Sequence, residues 1–258
     1  MQFEIAMLSK AGGRKVNEDA CAYWSNDKVC CCVLSDGLGG HYGGDVASKL
    51  AVQHVLEYFQ RTQVCGVQKI TELLHVADDA ITQEQQLDKK LMHMRATAVI
   101  LTIDAACNLA SWGHTGDSRL YCFRQGQIIV QTRDHSISQS MIDAGYLKPE
   151  DLRASPDRSK LFAALGNSDQ FEVDVLPAEF SVQDGDVFLL CSDGLWEYIE
   201  ENEMEQLLKI STSASGWLQT LEERVLARGH KGQDNYSALV VWCREQDETT
   251  QRYSNRHS

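Results

Sequence analysis

The chain of 258 residues is acidic, with 37 Asp and Glu residues against 24 Lys and Arg residues and a formal net charge of −13. A composition of 43% hydrophobic and 24% charged residues indicates a globular protein with a sizeable core. The negative charge and the lack of a Lys/Arg cluster disfavour binding to nucleic acid or to an anionic membrane surface.

The cysteines and the apolar runs indicate the compartment. Nine cysteines, an odd number, lie partly inside apolar runs, which is typical of reduced thiols and not of a disulfide framework. The sequence has no two CxxC pairs that could form a zinc site. It also has no signal-peptide pattern at the N-terminus and no apolar run near the ~18 residues of a membrane span. We therefore expect a cytoplasmic protein.

The first third of the chain predicts three strands followed by two helices. Apolar or alternating runs predict strands over residues 3–8, 20–25 and 28–35, and the last two are expected to form a hairpin. Apolar residues at helical spacing then predict amphipathic helices over residues 45–60 and 67–91.

The remainder predicts a meander, a mixed flap and a second block of strands and helices. Strands are expected over residues 94–104, 109–114, 119–123, 127–131, 171–176, 186–191 and 237–242. Helices are expected over residues 201–210 and 216–228, and residues 137–167 are expected to form a helical flap. Two blocks of strands and two of helices favour an α+β layered domain with two antiparallel sheets face to face and helices outside.

Two buried-strand runs end in the same four residues, Ser-Asp-Gly-Leu. Asp36 follows the apolar run 29–34, and Asp193 follows the run 187–191. Taken singly, an Asp-Gly pair is most often a turn. The repetition of the pattern 157 positions later (193 − 36) predicts that the two carboxylates converge on one site.

Two further acidic segments could join that site. Asp234 and Asn235 precede the last predicted strand, and Glu18 and Asp19 precede the second. Carboxylates without a set of His or Cys ligands favour hard divalent cations such as Mg²⁺ or Mn²⁺. Two such ions can share a water, lower its pKa and direct it at a phosphorus atom. Arg14 is a candidate phosphate ligand because a guanidinium binds phosphate oxygens bidentately.

Eight short motifs that include these residues are spread over almost the whole chain. They are Arg14-x-x-Asn17-Glu18-Asp19, Asp36-Gly37-x-Gly39-Gly40, Thr97-Ala98, Gly116-Asp117-Ser118-Arg119, Asp134-His135-Ser136, Ala164-Leu165-Gly166, Ser192-Asp193-Gly194-Leu195-Trp196 and Asp234-Asn235-x-Ser237. In this order they resemble the motif set of the metal-dependent protein phosphatases, the PPM or type 2C family. The length of the chain and its region 141–166 are similar to those of the stand-alone bacterial branch.

The resemblance implies a fold, an activity and a ligand set. The implied fold is a four-layer αββα sandwich over residues 1–244, followed by a polar C-terminal tail over residues 245–258. The implied activity is hydrolysis of phosphoserine and phosphothreonine in proteins by direct attack of a metal-bridging water, which would oppose a bacterial Ser/Thr kinase. We expect the enzyme to be a monomer.

At the positions that match the motifs, the resemblance implies two Mn²⁺ or Mg²⁺ ions and a third, weaker site. Asp36 would bridge the two ions, with the carbonyl of Gly37 on one and with Asp193 and Asp234 on the other. Asp117, with Asp193, would form the third site. Arg14 would bind the substrate phosphate. Glu18 and Asp19 would hold metal-bound water, and Asn235 would support the ligands.

The sequence departs from the family pattern at two positions. Many eukaryotic relatives have a histidine after the first Asp-Gly pair, where this chain has Leu38, so the proton for the leaving oxygen must come from elsewhere. His41 lies three residues on, and it is more simply a loop residue. The second departure is Ala163, which stands where a basic residue usually precedes the Ala-Leu-Gly motif and which affects contacts of the flap.

Three other functions remain open from the sequence. A non-catalytic binding module on the same scaffold would be expected to have lost metal ligands, and this chain keeps them. A phosphatase for small phosphorylated metabolites would have the same motifs. A two-metal nuclease is disfavoured by the net charge of −13 and the lack of a basic groove.

Overall fold

The apolar runs beside the two Asp-Gly pairs form central strands of two different sheets. The computed structural model describes residues 1–38, 43–167 and 171–245. The strands are β1 (Gln2–Lys10), β2 (Asp19–Ser25), β3 (Val29–Leu38), β4 (Arg95–Ala96), β5 (Ala98–Asp104), β6 (Leu109–Thr115), β7 (Arg119–Arg124), β8 (Gln127–Gln131), β9 (Asp174–Val175), β10 (Phe180–Ser181), β11 (Val187–Cys191) and β12 (Tyr236–Arg244). The helices are α1 (Gly44–Thr62), α2 (Val67–Leu87), α3 (Ile137–Asp143), α4 (Asp193–Trp196), α5 (Glu201–Ile210) and α6 (Ala214–Arg228), with a 3-10 helix at Pro149–Ala154.

The strands form two antiparallel sheets. One has five strands in the order β1-β12-β11-β7-β8. The other has seven strands. Five of them follow the order β10-β6-β5-β3-β2, while β4 pairs with β3 and β9 pairs with β6. The strand that carries Asp36 is therefore central in one sheet, and the strand that leads to Asp193 is central in the other.

Three separate apolar cores fill the spaces between the layers. The core between α1, α2 and the seven-stranded sheet contains Cys31 and Phe59. The core between the two sheets contains Cys32 and Phe188. The third, between the five-stranded sheet and α5 and α6, contains Trp217. Successive residues of a strand point to opposite faces, so segments 29–34 of β3 and 187–191 of β11, which have apolar cores on both faces, must be apolar throughout. The predicted α+β fold with an αββα sandwich is confirmed.

The strand β3 is longer than predicted. It continues to Leu38 because Gly37 pairs with Ala96 and Leu38 pairs with Arg95. Asp36 consequently lies within the strand, whereas the sequence had predicted a position just after the end of the strand. The paired segment β4 is separated from β5 at Thr97, where a single strand over residues 94–104 was expected. The helix α2 ends at Leu87, four residues before the predicted end.

The flap, residues 137–167, contains the short helix α3 and the 3-10 helix, as the mixed sequence suggested. Two isolated bridges, Ser136 with Leu161 and Ala96 with Leu165, attach its ends to the domain. Arg153 attaches its middle, since its guanidinium donates hydrogen bonds to the carbonyl oxygen of Trp196 at 3.0 Å and to both carboxylate oxygens of Glu201 at 2.9 Å. The flap is thereby linked to β4 and to the helices α4 and α5.

Parts of two sequence predictions lie outside the described residues. Residues 246–258 hold all but the first residue of the polar tail, and residues 39–42 hold Gly39, Gly40 and His41. The boundary of the domain at residue 244 stays a prediction. Among the helices that the structure describes, none is long and apolar enough to cross a membrane.

The core between the sheets should dominate stability. Leu190 is fully buried there, whereas Leu226 on α6 is 60% exposed. We expect Leu190→Ala to lower the free energy of unfolding by about 2–5 kcal/mol, because it leaves a cavity between two rigid sheets. The matched change Leu226→Ala should alter it by less than about 0.5 kcal/mol. Urea unfolding followed by circular dichroism measures both, and equal effects would contradict the assignment of the core.

Candidate metal and phosphate site

Eight of the nine predicted site residues line one pocket. The pocket has a volume of about 210 Å³ and is lined by Arg14, Glu18, Asp36, Gly37, Leu38, Asp117, Ser159, Asp193, Asp234 and Asn235. The ninth residue, Asp19, lies behind it, buried and directly opposite Asp36 in the pairing of β2 with β3. The structure therefore brings together acidic residues up to 216 positions apart in the chain, Glu18 and Asp234 (234 − 18).

Hydrogen bonds to Thr97 fix the backbone of Asp36. The amide of Asp36 donates to the hydroxyl of Thr97 at 3.0 Å, and the amide of Thr97 donates to the carbonyl oxygen of Asp36 at 2.8 Å. The hydroxyl of Ser35 donates to the carbonyl oxygen of Thr97 at 2.6 Å. The hydroxyls of Thr97 and Ser118 also lie 2.6 Å apart. The break between β4 and β5 thus supplies the polar groups that orient the end of β3.

Ser192 joins the acidic ends of the two sheets. Its hydroxyl donates to Oδ2 of Asp19 at 2.7 Å and accepts from the amide of Ser237 at 3.0 Å. Asp193 follows at once as the first residue of α4. The next residue must be glycine, because a Cβ on Gly194 would lie 1.9 Å from the carbonyl oxygen of Asn235. The second Ser-Asp-Gly motif is therefore packed against the segment that carries Asp234.

Asn235 holds the segment that contains Arg14 and Glu18. Its side-chain oxygen accepts from the amide of Glu18 at 2.8 Å, and its side-chain nitrogen donates to the carbonyl oxygens of Ala11 at 2.9 Å and Val16 at 3.0 Å. Arg14 lies in the loop so held, and its Nη2 donates to Oδ2 of Asp234 at 2.8 Å. Both of these side chains are about half exposed, so the pair lies at the mouth of the pocket.

A tight approach of backbone segments explains the glycine after Asp36. The amide of Gly37 donates to the carbonyl oxygen of Glu18 at 3.1 Å. A Cβ on Gly37 would lie 2.1 Å from the carbonyl oxygen of Gly44 and 2.7 Å from that of Glu18. No larger residue fits at this close approach, and Gly37 lines the pocket.

Comparisons with known proteins agree with this geometry. A family model described as Protein phosphatase 2C matches residues 9–232. The chain belongs to the protein phosphatase 2C family. The sequence-based recognition of a PPM-type phosphatase is confirmed, and the chain is a phosphoprotein phosphatase, a hydrolase.

Individual relatives match over most of their length. Protein phosphatase PhpP of Streptococcus pneumoniae serotype 2 is 29% identical over 250 residues, which are 95% of this chain and 99% of PhpP. Serine/threonine phosphatase stp of Listeria innocua is 30% identical over 233 residues, or 88% of this chain and 90% of that protein. The solved catalytic domain of the serine/threonine phosphatase PstP, described as a complex with 2 manganese ions, is 27% identical with a TM-score of 0.80 and covers 94% of this chain and 99% of that domain.

Burial and mutual repulsion govern the charges of this phosphatase pocket. Burial, followed by the charges of neighbouring carboxylates, raises the pKa of Asp36 and of Asp193 well above the usual range. Burial also raises the pKa of Asp19 to about 6, although hydrogen bonds from Ser192 and Ser237 oppose the shift. Burial and the charge of Asp134 raise the pKa of Asp117 to about 7. These raised pKa values favour the protonated carboxyl groups, and a bound cation would oppose that effect.

The donor set fits hard divalent cations. The described side chains that line the pocket include five carboxylates and a single basic group, Arg14. Within the described part of the chain, Oδ1 of Asp19 is buried and has no hydrogen-bond partner, so it is free to accept from a water or bind an ion. Oxygen donors of this kind suit Mg²⁺ and Mn²⁺. The family and this pocket together support metal dependence.

A second cluster of metal-ligand types lies beside the pocket and is arranged differently. In residues 1–38, 43–167 and 171–245, one trio of His, Cys, Asp or Glu has ligand atoms all within 4.8 Å, namely His114, His135 and Asp174. The two imidazole rings stack at 4.7 Å with an interplanar angle of 27°. Nε2 of His114 already lies 2.7 Å from the carbonyl oxygen of Arg133. Nε2 of His135 lies 3.3 Å from Oδ2 of Asp174, so polar atoms of this trio already have protein partners.

The acidic pocket does not form such a tight trio. Since every one of its carboxylates is described, no three of them approach within 4.8 Å of one another. Like charges favour this spread.

One lining residue had no sequence signal. Ser159 is an exposed flap residue that lines the pocket. It lies between Arg158, whose guanidinium is paired with Glu197, and Lys160, which pairs with Asp157 at 2.6 Å. Its proximity to Asp193 follows from how the flap folds back, which no local pattern reports. The supports Thr97 and Ser118, in contrast, lay inside motifs that the sequence had singled out.

The raised pKa of Asp117 predicts how stability depends on pH without metal. Because its pKa is about 7 in the fold and 3.8 in the reference state, the folded protein binds a proton that the unfolded chain releases. That contribution is complete below pH 3.8 and is lost as the pH rises through 7. In the presence of a chelator, Asp117→Asn should therefore raise Tm relative to the parent by roughly 2–6 °C at pH 7.5 and by less at pH 5.

The exposed Asp27 supplies the matched control for this measurement. Asp27→Asn makes the same chemical change outside the pocket, so its Tm difference from the parent should be small and should not grow between pH 5 and pH 7.5. A difference for Asp117→Asn that shrinks as the pH rises would contradict the burial effect.

Proposed function

We propose that this chain is a protein serine/threonine phosphatase that hydrolyses phosphoserine and phosphothreonine by direct attack of water, with no phosphoenzyme. The single observation that carries the proposal is the pocket in which five carboxylates and Arg14 meet. The names of PhpP, stp and PstP support the substrate class. Five clustered carboxylates repel a phosphate unless cations intervene, and Arg14 alone cannot neutralise them.

We propose Asp36, Asp193 and Asp234 as ligands of two Mn²⁺ or Mg²⁺ ions, together with the carbonyl of Gly37. Asp117 would add a weaker third site. When bound, such ions lower the pKa of a bridging water and offset the charge of the phosphoryl oxygens. Glu18 and Asp19 are proposed to hold ordered water, and the unpartnered Oδ1 of Asp19 supports that role.

Arg14 is proposed to orient the phosphate. Its guanidinium lies at the mouth of the pocket and already donates to an anionic oxygen, that of Asp234. A guanidinium stays protonated at any physiological pH and can donate two parallel hydrogen bonds to a phosphoryl group. Asn235 would act on Arg14 indirectly, because its side chain holds the two ends of the loop.

Leu38 limits how the leaving oxygen is protonated. The residue lines the pocket where many eukaryotic relatives have a histidine, and a leucine has no proton to donate. We propose that the proton reaches the seryl or threonyl oxygen from water in the pocket. His41, the nearest alternative in sequence, lies outside the described residues.

The other functions considered from the sequence are less well supported. Five of the six predicted carboxylates line the pocket and the sixth, Asp19, lies directly behind it, which disfavours a binding module without activity. The net charge of −13 disfavours a nuclease. A small phosphorylated metabolite would fit the pocket, but the longer groove described below favours a peptide. We also propose a cytoplasmic, monomeric enzyme that opposes a Ser/Thr kinase.

The metal assignment predicts turnover that depends on Asp36 and Asp193. We expect Mn²⁺-dependent release of phosphate from a phosphothreonine peptide, and its complete loss when a chelator is added. Asp36→Asn and Asp193→Asn should lower kcat/KM by at least about a hundredfold, because each removes a proposed ligand. Asp27→Asn, the matched change at an exposed turn, should leave activity intact. Retained turnover in both pocket variants would remove the metal assignment.

The proposed phosphate contact predicts a different kinetic signature for Arg14. If the guanidinium binds phosphate equally in the ground and transition states, Arg14→Ala should raise KM by about tenfold or more and change kcat less. Arg61→Ala, which removes an exposed arginine at the end of α1, is the control. Steady-state kinetics on one phosphopeptide separates the two constants, and an unchanged KM for Arg14→Ala would refute the contact.

A further inference from the structure

A groove continues from the catalytic pocket along the flap. It has a volume of about 510 Å³ and is lined by residues 38, 93, 95, 159, 161–164 and 167. Leu38 and Ser159 line both this groove and the acidic pocket, so the two spaces are adjacent. The volume lies in the range of ligand sites and exceeds what a single phosphate group needs. A substrate segment on one side of the phosphorylated residue can therefore occupy the groove.

The pairing of β3 with β4 places Arg95 on the face that carries Asp36. Asp36 and Leu38 are two residues apart in one strand, so their side chains point to the same face. Leu38 pairs directly with Arg95, and residues directly opposite each other in antiparallel strands share a face. The rise of the strand puts Leu38 about 7 Å along from Asp36. Arg95 thus lies next to the catalytic pocket on the flap side.

Arg95 differs from the other arginines near the pocket in its charge environment. Arg14 is paired with Asp234, and Arg158 is paired with Glu197. Within the described residues, no carboxylate lies within ion-pair distance of Arg95, and its side chain is exposed. An unpaired guanidinium on the surface of a chain with net charge −13 offers a local attraction for an anion.

The remaining lining is apolar or polar without negative charge. Leu161 and Phe162 are half-buried, Ala163 is buried, and His93 is exposed beside Arg95. No acidic residue is among the described residues that line the groove, in contrast to the five that line the pocket. A segment with an acidic side chain therefore meets repulsion in the pocket and attraction in the groove.

We propose that the groove binds the substrate segment next to the phosphorylated residue, and that Arg95 selects an acidic side chain in that segment. The inference rests on the proposed function, whose substrate class it narrows. An extended peptide advances about 3.3 Å per residue, so a reach of about 7 Å places the acidic residue two or three positions from the phosphorylated one. Arg95 is a specificity-determining residue in this assignment and takes no part in the chemical step.

The test compares phosphothreonine peptides with Glu or Gln two or three positions from the phosphothreonine, on either side. With Mn²⁺ present, the full chain should show a KM about two- to tenfold lower for one of the Glu peptides than for its Gln counterpart, which is the size of effect that a surface ion pair or a charged hydrogen bond supports. The preference should fall as salt is added, because the contact is exposed.

Variants of Arg95 make the test specific. Arg95→Ala should remove the preference for Glu over Gln, and Arg95→Glu should replace it with a preference for Lys. Both variants should leave kcat and KM for p-nitrophenyl phosphate unchanged, since that compound has no flanking segment. Arg61→Ala, the matched loss of an exposed arginine outside the groove, should keep the preference for Glu.

Three results would overturn the proposal. They are equal KM values for the Glu and Gln peptides in the parent enzyme, a preference that survives Arg95→Ala, and an equal loss of activity on p-nitrophenyl phosphate, which would place Arg95 on the reacting phosphate. If p-nitrophenyl phosphate is hydrolysed and no phosphopeptide is, the proposed function fails and this inference fails with it. Turnover of phosphopeptides without a charge preference refutes this inference alone.

Discussion

Repulsion among buried carboxylates is the constraint on which the rest of the structure depends. Asp19 and Asp36 lie directly opposite each other in adjacent strands. Burial raises the pKa of Asp36, and the charges of the neighbouring carboxylates Asp19, Asp193, Asp117 and Asp234 raise it further. Such a cluster lowers stability in the unliganded protein, so the elements that carry it must be rigid for independent reasons. The central strands β3, β11 and β12 meet that need, because apolar cores lie on both of their faces. The stability of the sandwich thus offsets the instability of the site.

A buried arginine network reduces the repulsion on one side. Arg119 donates to both carboxylate oxygens of Asp134 at 2.8 Å, and its guanidinium lies 3.6 Å from the centre of the Trp196 ring. The indole of Trp196 in turn donates to the carbonyl oxygen of Asp117 at 3.0 Å. The positive charge of Arg119 lowers the pKa of Asp117 and opposes the effects of burial and of Asp134. The same network contacts Glu201, which binds Arg153 of the flap. Flap and acidic pocket therefore share one set of supports.

The sequence predicted those features whose cause is local. Strands apolar on both faces, such as β3 and β11, indicated buried sheets, and the repeated Ser-Asp-Gly pattern placed Asp36 and Asp193 in one pocket. The close backbone approaches at Gly37 and Gly194 did not follow from the sequence, because the groups they approach come from distant segments. The break at Thr97 and the place of Ser159 were not predictable, because each depends on tertiary contacts with no periodic signal. The groove was not predictable for the same reason, because only the pairing of Arg95 with Leu38 places Arg95 next to the pocket.

The pair formed by Arg14 and Asp234 connects the two ligands proposed for the pocket. In the structure, Oδ2 of Asp234 accepts a hydrogen bond from the guanidinium at 2.8 Å. If Asp234 binds a cation as proposed, its hydrogen bond to Arg14 would weaken, and the guanidinium would become available to a phosphate. Binding of cations would then favour binding of phosphate beyond simple charge neutralisation. By linkage, a bound phosphate would strengthen the binding of cations by the same factor. The contact between Arg14 and Asp234 would act as a coupling element, and its half-exposed position would allow the exchange without rearrangement of the core.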